Sequence, residues 1–387
     1  MISIKVYGIV CEYNPFHSGH KYQIDSIKGD CDAVVCVMSG NFVQRGEPSI
    51  LPKHLRARHA ILNGADLVIE LPTTFAVSSA ERFAYGAVYL LNSLNVITHM
   101  SFGSESGDIE TLKNYARFLA FESDEYKNAL KEELKKGAGF AKARENALSR
   151  FIGDTAALQS PNNILAIEYI KALYKLKSSI VPTTIKRAGA GYLDLSPKDG
   201  FCSASAIRKM AKEGDLNFKN YVPHAVFEDL LNFPKPDDKI LDRLVLYRVR
   251  NLDKDEARLY FDALDGLFER IYQNRFSSSL DELINNVKSK RHTTSRIKRL
   301  LIKMLLRDTL PKDLSPTYIR PLAMNKTGQA LLNKIKKEAS LPLVTKVGRL
   351  SEIKDGSLLL DILASDIYSL LSNTKTEVDF TTPLQIL

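Results

Sequence analysis

The chain has 387 residues, 44% hydrophobic and 26% charged, and lacks the uninterrupted apolar run of ~20 residues that a membrane-spanning helix needs. Lys and Arg outnumber Asp and Glu by 54 to 45, a net charge of +9 that favours a polyanionic partner without identifying one. The opening MISIKVYG lacks the order of a signal peptide, and Cys11, Cys31, Cys36 and Cys202 fall at no zinc-type spacing, so a cytoplasmic chain with buried free thiols is expected.

IKVYGIV opens a series of short Val- and Ile-rich runs, continued by AVVCVM, DLVIEL, VITHMSF and SIVPTTI, with helical patterns between them. Such runs read as parallel strands joined by crossover helices. HKYQIDSIK follows the first run, KHLRARHAILNG ends at Asn63 and Gly64 as a helix stop, and SSAERFAYGAVYLLNSL carries a serine cap with Glu81 close behind. Residues 108–150 are helical and polar with no strand signal, and SPNNIL places Ser160 as a helix cap and Pro161 at the first helical position. After about residue 215 amphipathic helical patterns dominate, interrupted by FPKPDDK and LPKDLSPTYIRP. The expected fold is α/β: a parallel-sheet domain over 1–215 with a helical insertion around 108–150, then a mainly α-helical domain over 216–387.

The residues that could carry chemistry collect where strands end. In GIVCEYNPFHSGH, Pro15 and Gly19 suit a strand turning into a helix, and His17 and His20 stand where an α/β sheet binds ligands. Two imidazoles at a helix amino terminus could donate to a phosphate; a surface or capping pair is the alternative. A zinc site would need further ligands, and no paired motif completes one, so no metal is expected. FGSESGD places Gly103 at the end of the fourth run, and SPNNIL leaves Asn162 and Asn163 as polar residues at a helix start, Asn163 being read as capping or solvation. IVPTTIK leads to Arg187, a planar fork suited to phosphate or a ring face, or a plain surface charge. In FCSASAIRK, Ser203 and Ser205 precede Arg208 by about one helical turn, though Ser203 also suits an N-cap. Gln44, Arg45 and Glu47 of MSGNFVQRGEP remain unassigned.

HSGH matches the HxGH signature of the nucleotidyltransferase superfamily. The run of GIVCEYNPFHSGH, MSGNFVQRGEP, DLVIELP, FGSESGD, SPNNILAIEYIKAL, IKRAGAGY and FCSASAIR, in that order, resembles the tRNA(Met) cytidine acetate ligase family. The resemblance implies a Rossmann-like nucleotidyltransferase domain that binds ATP, with a helical domain that binds tRNA. It implies activation of acetate by ATP to acetyl-adenylate, then acetyl transfer to the exocyclic amine of the wobble cytidine of elongator tRNA(Met). Acetate is already ionised at neutral pH, so the first step needs charge stabilisation and no general base. On this resemblance His17 and His20 are catalytic. Ile9, Val10, Gly19, His20 and Gly103 contact ATP, as do Asn162, Arg187, Ser203, Ser205 and Arg208. ATP is the co-substrate, with Mg2+ left open, and neither a membrane nor an obligate protein partner is implied.

In KSKRHTTSRIKRLLIKMLLR, Ile297, Leu300, Leu301, Met304 and Leu305 form an apolar stripe, with Arg296, Lys298, Arg299, Lys303 and Arg307 mostly off it. The resemblance makes Arg296, Lys298, Arg299 and Lys303 the tRNA contacts; a solvated basic face is the alternative. Two other functions stay open at this stage: an adenylyltransferase acting on a small phosphate or alcohol, and a non-catalytic RNA-binding protein on a nucleotide-fold scaffold.

Overall fold

In chain order the strands are β1 (Val6–Cys11), β2 (Ala33–Ser39), β3 (Phe42–Val43), β4 (Glu47–Pro48), β5 (Leu67–Leu71), β6 (His99–Ser104), β7 (Val181–Lys186), β8 (Pro321–Met324) and β9 (Gln385–Ile386). The computed structural model describes residues 4–137, 139–152, 155–187, 202–263, 265–348 and 350–387. Seven strands make one sheet in the order β7-β6-β1-β2-β5-β8-β9, and β3 pairs with β4 as a short antiparallel hairpin. The five runs read as strands in the sequence are parallel: Val6 lies opposite Ala33, Tyr7 opposite His99, Val35 opposite Leu67 and His99 opposite Val181. β8 is antiparallel to β5, and β9 runs parallel to β8.

Both strands at that edge come from beyond residue 215, so the expected division does not separate sheet from helices. PLAM and QI are too short to carry a period, and Pro321 lacks the N–H that would mark a central strand. The stretch 108–150 forms three helices, Ile109–Ala120, Asp124–Lys135 and Phe140–Ile152.

Alternation along each strand sends neighbours to opposite faces, and both faces are covered. Val35, Val37, Leu67 and Ile69 pack with Ala84, Ala87 and Leu91 of the Ala80–Ser93 helix and Ile167 and Ile170 of the Pro161–Lys175 helix. Val34, Cys36 and Met38 pack the other way, with Ile24, Ile27, Ala57 and Ala60 from the Ser18–Lys28 and Lys53–Leu62 helices. A third core joins Leu241, Val245, Leu283, Ile297, Leu300 and Met304 of the later helices, and Phe42 of β3 is fully buried in it. The hairpin thus belongs to the sheet half by sequence and to the helical half by packing. All four cysteines are free, with Cys11, Cys36 and Cys202 buried and Cys31 half-buried. Among the described residues no helix is long and apolar enough to cross a membrane.

Candidate active site

From β1 the chain proceeds to β2 and β5 on one side, then returns to place β6 and β7 on the other. The crevice at this reversal lies beyond the carboxyl ends of β1 and β6, the position at which α/β sheets bind ligands. A cavity is found there, lined by Val10, Glu12, His17, His20, Gly103, Asn162, Arg187, Ser203, Ser205 and Arg208. Elements far apart in sequence therefore bring nine of the expected residues to one place.

His17 is the N-cap of the Ser18–Lys28 helix: its Nδ1 accepts the Gly19 N–H at 3.0 Å, while His20 Nδ1 accepts the His17 N–H at 3.2 Å. The rings stack with centroids 3.8 Å apart. Because each Nδ1 is an acceptor, each neutral ring carries its hydrogen on Nε2. Burial, then the charges of Arg187 and Arg208, push His17 down to about 3. His20 is driven well below its ordinary value by burial, then by His17 and Arg187. Both imidazoles are neutral donors at pH 7, and the positive charge in the cavity comes from the arginines. Capping and phosphate donation, posed as alternatives in the sequence, use different nitrogens of the same rings.

Arg208 is held by three acceptors: Nη1 donates to the Asn14 carbonyl at 2.7 Å, and Nη2 to Glu47 at 3.2 Å and Ser205 Oγ at 3.3 Å. Ser203 caps the Ala204–Glu213 helix, accepting the Ala206 N–H at 3.1 Å. The amino ends of two helices therefore face the cavity, each offering partial positive charge to an anion. Arg187 follows β7, and a Cβ on Gly103 would stand 3.3 Å from its Cγ, so the glycine admits the arginine stem. The remainder of IKRAGAGY, residues 188–192, lies outside the described residues.

Four expectations change. Ser160 makes no capping bond; the Glu105 carboxylate takes its place, accepting the Asn163 N–H at 2.8 Å and the Asn162 side-chain amide at 2.7 Å. Asn163 is buried, and its Oδ1 accepts the Glu105 N–H at 2.9 Å, fastening the loop after β6 to the helix. Ile9 does not line the cavity because the strand's alternation turns its side chain into the core, where it is fully buried. Gly19 contributes its N–H to the cap and does not line the cavity either.

On the Thr294–Leu306 helix the four basic residues part company. Lys303 is buried, ion-paired with Asp262, donating to Ser78 Oγ at 3.2 Å and lying over Phe261 at 4.3 Å. Three residues beyond Leu300, it falls at the edge of the apolar stripe, which removes it from the expected tRNA surface. Arg299 is half-buried and reaches the Gln44 carbonyl at 3.5 Å; Arg296 pairs with Asp265 at 3.3 Å. Lys298 borders a second cavity, together with Lys209, Lys212 and Lys239.

Sequence reasoning gave Glu12 no role and left Gln44, Arg45 and Glu47 unassigned, yet all four line the cavity. Glu12 Oε1 accepts the Gln44 N–H at 2.7 Å, and burial pushes its carboxyl up against the opposing pull of that bond and Arg208. Its place directly after an apolar strand and five residues before His17 was the available signal. Among the described residues no group of three or more His, Cys, Asp or Glu could hold a metal ion.

Residues 4–382 match the family model described as HIGH Nucleotidyl Transferase. The tRNA(Met) cytidine acetate ligase of Caldanaerobacter subterraneus subsp. tengcongensis is 46% identical over 380 residues, covering 94% of each chain. That of Clostridium perfringens is 44% identical over 401 residues, covering 97% of this chain and 98% of its own. Among solved structures, Thermotoga maritima TmcAL in its apo form I superposes with a TM-score of 0.92 at 35% identity, covering 99% of this chain and 100% of that one. The form II structure bound with alpha-thio ATP gives 0.89 at 34% identity, with the same coverage. A cavity at the strand reversal, HSGH at its rim and similarity along almost the whole chain lead to one conclusion: the chain belongs to the HIGH nucleotidyl transferase family, among its tRNA(Met) cytidine acetate ligases.

Proposed function

We propose that this chain joins acetate to ATP and passes the acetyl group to the exocyclic amine of the wobble cytidine in elongator tRNA(Met), working in the cytoplasm without an obligate protein partner. An acetate oxygen attacks the α-phosphorus of ATP, the bond to the bridging oxygen of the β-phosphate breaks, and pyrophosphate leaves with acetyl-adenylate formed. His17 and His20 donate through Nε2 to the phosphates, Arg187 and Arg208 supply the countercharge, and Ser203 and Ser205 offer hydroxyls at a helix amino terminus. Val10, Gly103 and Asn162 shape the rest of the nucleotide site. Arg296 and Lys298, both half-buried on their helix, hold tRNA phosphates.

The observation that supports this reading most is the pairing of two neutral donor imidazoles with two arginines in the cavity beyond β1 and β6. The test uses purified protein with ATP, labelled acetate and tRNA(Met). Label entering the tRNA only with ATP present is the expected result. Pyrophosphate exchange without acetate would replace this function by an adenylyltransferase, and tRNA binding without turnover by a non-catalytic RNA-binding role.

A further inference from the structure

The second half of the proposed reaction needs something the first does not. The exocyclic amine of cytosine is a poor nucleophile, and its nitrogen must shed a proton as it bonds to the acetyl carbon. Neither histidine is well placed to take that proton, because each Nδ1 is occupied by a backbone N–H and each Nε2 already carries hydrogen. The arginines have no free pair. A carboxylate fits the requirement, and two line the cavity beside the hairpin: Glu47, already paired with Arg208, and Glu12.

We infer that Glu12 is the general base of the acetyl-transfer step, a role that rests on the function proposed above. Its Oε1 is fixed by the Gln44 N–H at 2.7 Å, which orients the carboxylate, and among the described residues no donor bonds Oε2. Location also favours it over the nucleotide side of the cavity. The second cavity, bordered by Lys209, Lys212 and Lys298, shares Glu47 and Arg208 with the first. A nucleotide held along that lysine-bearing groove therefore enters past the hairpin, on the side where Glu12 is anchored. The histidines and the amino end of the Ala204–Glu213 helix are left to the phosphates. Burial raises the Glu12 carboxyl, bringing it nearer the working pH, as suits a base.

The step balances. The amine nitrogen bonds to the acetyl carbonyl carbon, the bond from that carbon to the AMP oxygen breaks, AMP leaves, and the amine proton passes to Glu12 Oε2 and then to solvent.

The test compares wild type with Glu12→Gln, which keeps an oxygen for the Gln44 N–H and cannot take a proton. Acetate-dependent ATP–pyrophosphate exchange reads the first step, and labelled acetate entering tRNA(Met) across pH 5–9 reads the second. Transfer should fall about 10²–10⁴-fold with exchange changed far less, and the acidic limb of the wild-type transfer profile should vanish. Glu12→Asp, retaining a carboxylate at shorter reach, should recover part of the transfer and the limb. Transfer at wild-type rate in Glu12→Gln overturns the role. So does parallel loss of both steps, which would make Glu12 an ATP contact, directly or through a cation. Failure of wild type to acetylate tRNA at all would strike the proposed function, and is distinguishable because it needs no variant.

Discussion

Replacing His20 in two ways separates the two jobs assigned to its ring. His20→Asn puts an acceptor near the position of Nδ1, so the His17 N–H keeps its partner while the donor at Nε2 is lost. His20→Gln reaches the Nε2 position with an amide hydrogen, but its single amide cannot at the same time bond the His17 N–H as the ring does. The cap as built consists of the reciprocal bonds at 3.0 and 3.2 Å, and loss of such a cap costs about 0.5–2 kcal/mol of stability. A donor aimed at charge developing on the leaving phosphate contributes about 10²–10³ in rate, or about 2.7–4 kcal/mol. Because the rings are neutral at pH 7, no formal charge is removed in either variant, which makes the donor the quantity tested. His20→Asn should unfold in urea close to wild type yet lose acetate-dependent pyrophosphate exchange about 10²–10³-fold; His20→Gln, whose oxygen can close the capping box when no ATP is bound, should stay close to wild type in stability and retain more exchange. Full exchange in His20→Asn would refute the reasoning and reduce the pair to a cap.

Ile9→Val should lower stability by about 0.5–1.5 kcal/mol, as expected for a buried methyl, and leave ATP affinity unchanged in titration calorimetry, since Ile9 lies in the core. Lys298→Glu should weaken tRNA binding and reduce its salt dependence while pyrophosphate exchange continues, measured by filter binding at several salt concentrations. Lys303→Met should instead destabilise the fold by roughly 3–5 kcal/mol, as for a broken buried pair, because it takes the cation from Asp262 and from the buried Asp308. Asp379 is buried against Lys53, His54 and Arg320; burial alone would raise its carboxyl, but those neighbours hold it far below the usual carboxylate range. A depressed folded-state value stabilises above the unfolded value of about 3.9 and loses that contribution as the pH falls below it. Asp379→Asn should therefore be destabilised at pH 7 and lose less stability than wild type between pH 4 and 2 in urea titrations.

The parallel core of the fold was legible because β1, β2, β5 and β7 carry Val or Ile and β6 ends a run opened by Val96 and Ile97, with helix signals between them. β8 and β9 were not, having four and two residues with no period to detect. In the site, residues attached to a strand end could be placed, and nine of those expected line one cavity. What escaped depended on partners remote in the chain. Glu105 caps a helix that starts 56 residues later, a role that no local pattern carries, and Lys303 becomes a core cation only because Asp262 and Phe261 fold against it. Ile9 shows a different failure, since a motif assigns a stretch to a ligand while strand alternation decides which side chains of that stretch can reach it.

The hairpin β3–β4 explains why a boundary at 215 is a poor guide to how the molecule works. At its tip Gly46 has a φ of +73°, and a Cβ there would lie 2.4 Å from the backbone nitrogen of Arg299, so only glycine lets the hairpin lie flat on the basic helix. Two residues earlier, Gln44 donates its N–H to Glu12, and its carbonyl accepts from Arg299 Nη1. Phe42, at the other end, is sealed into the helical core. One short segment is thus bonded at once to the cavity beyond β1 and to the helix carrying Lys298. The link from that helix to the Glu12 carboxylate runs through Gln44 and two hydrogen bonds, one short at 2.7 Å and one long at 3.5 Å. The two halves of the chain are thus joined at this hairpin, which is bonded to Glu12 on one side and packed into the helical core on the other.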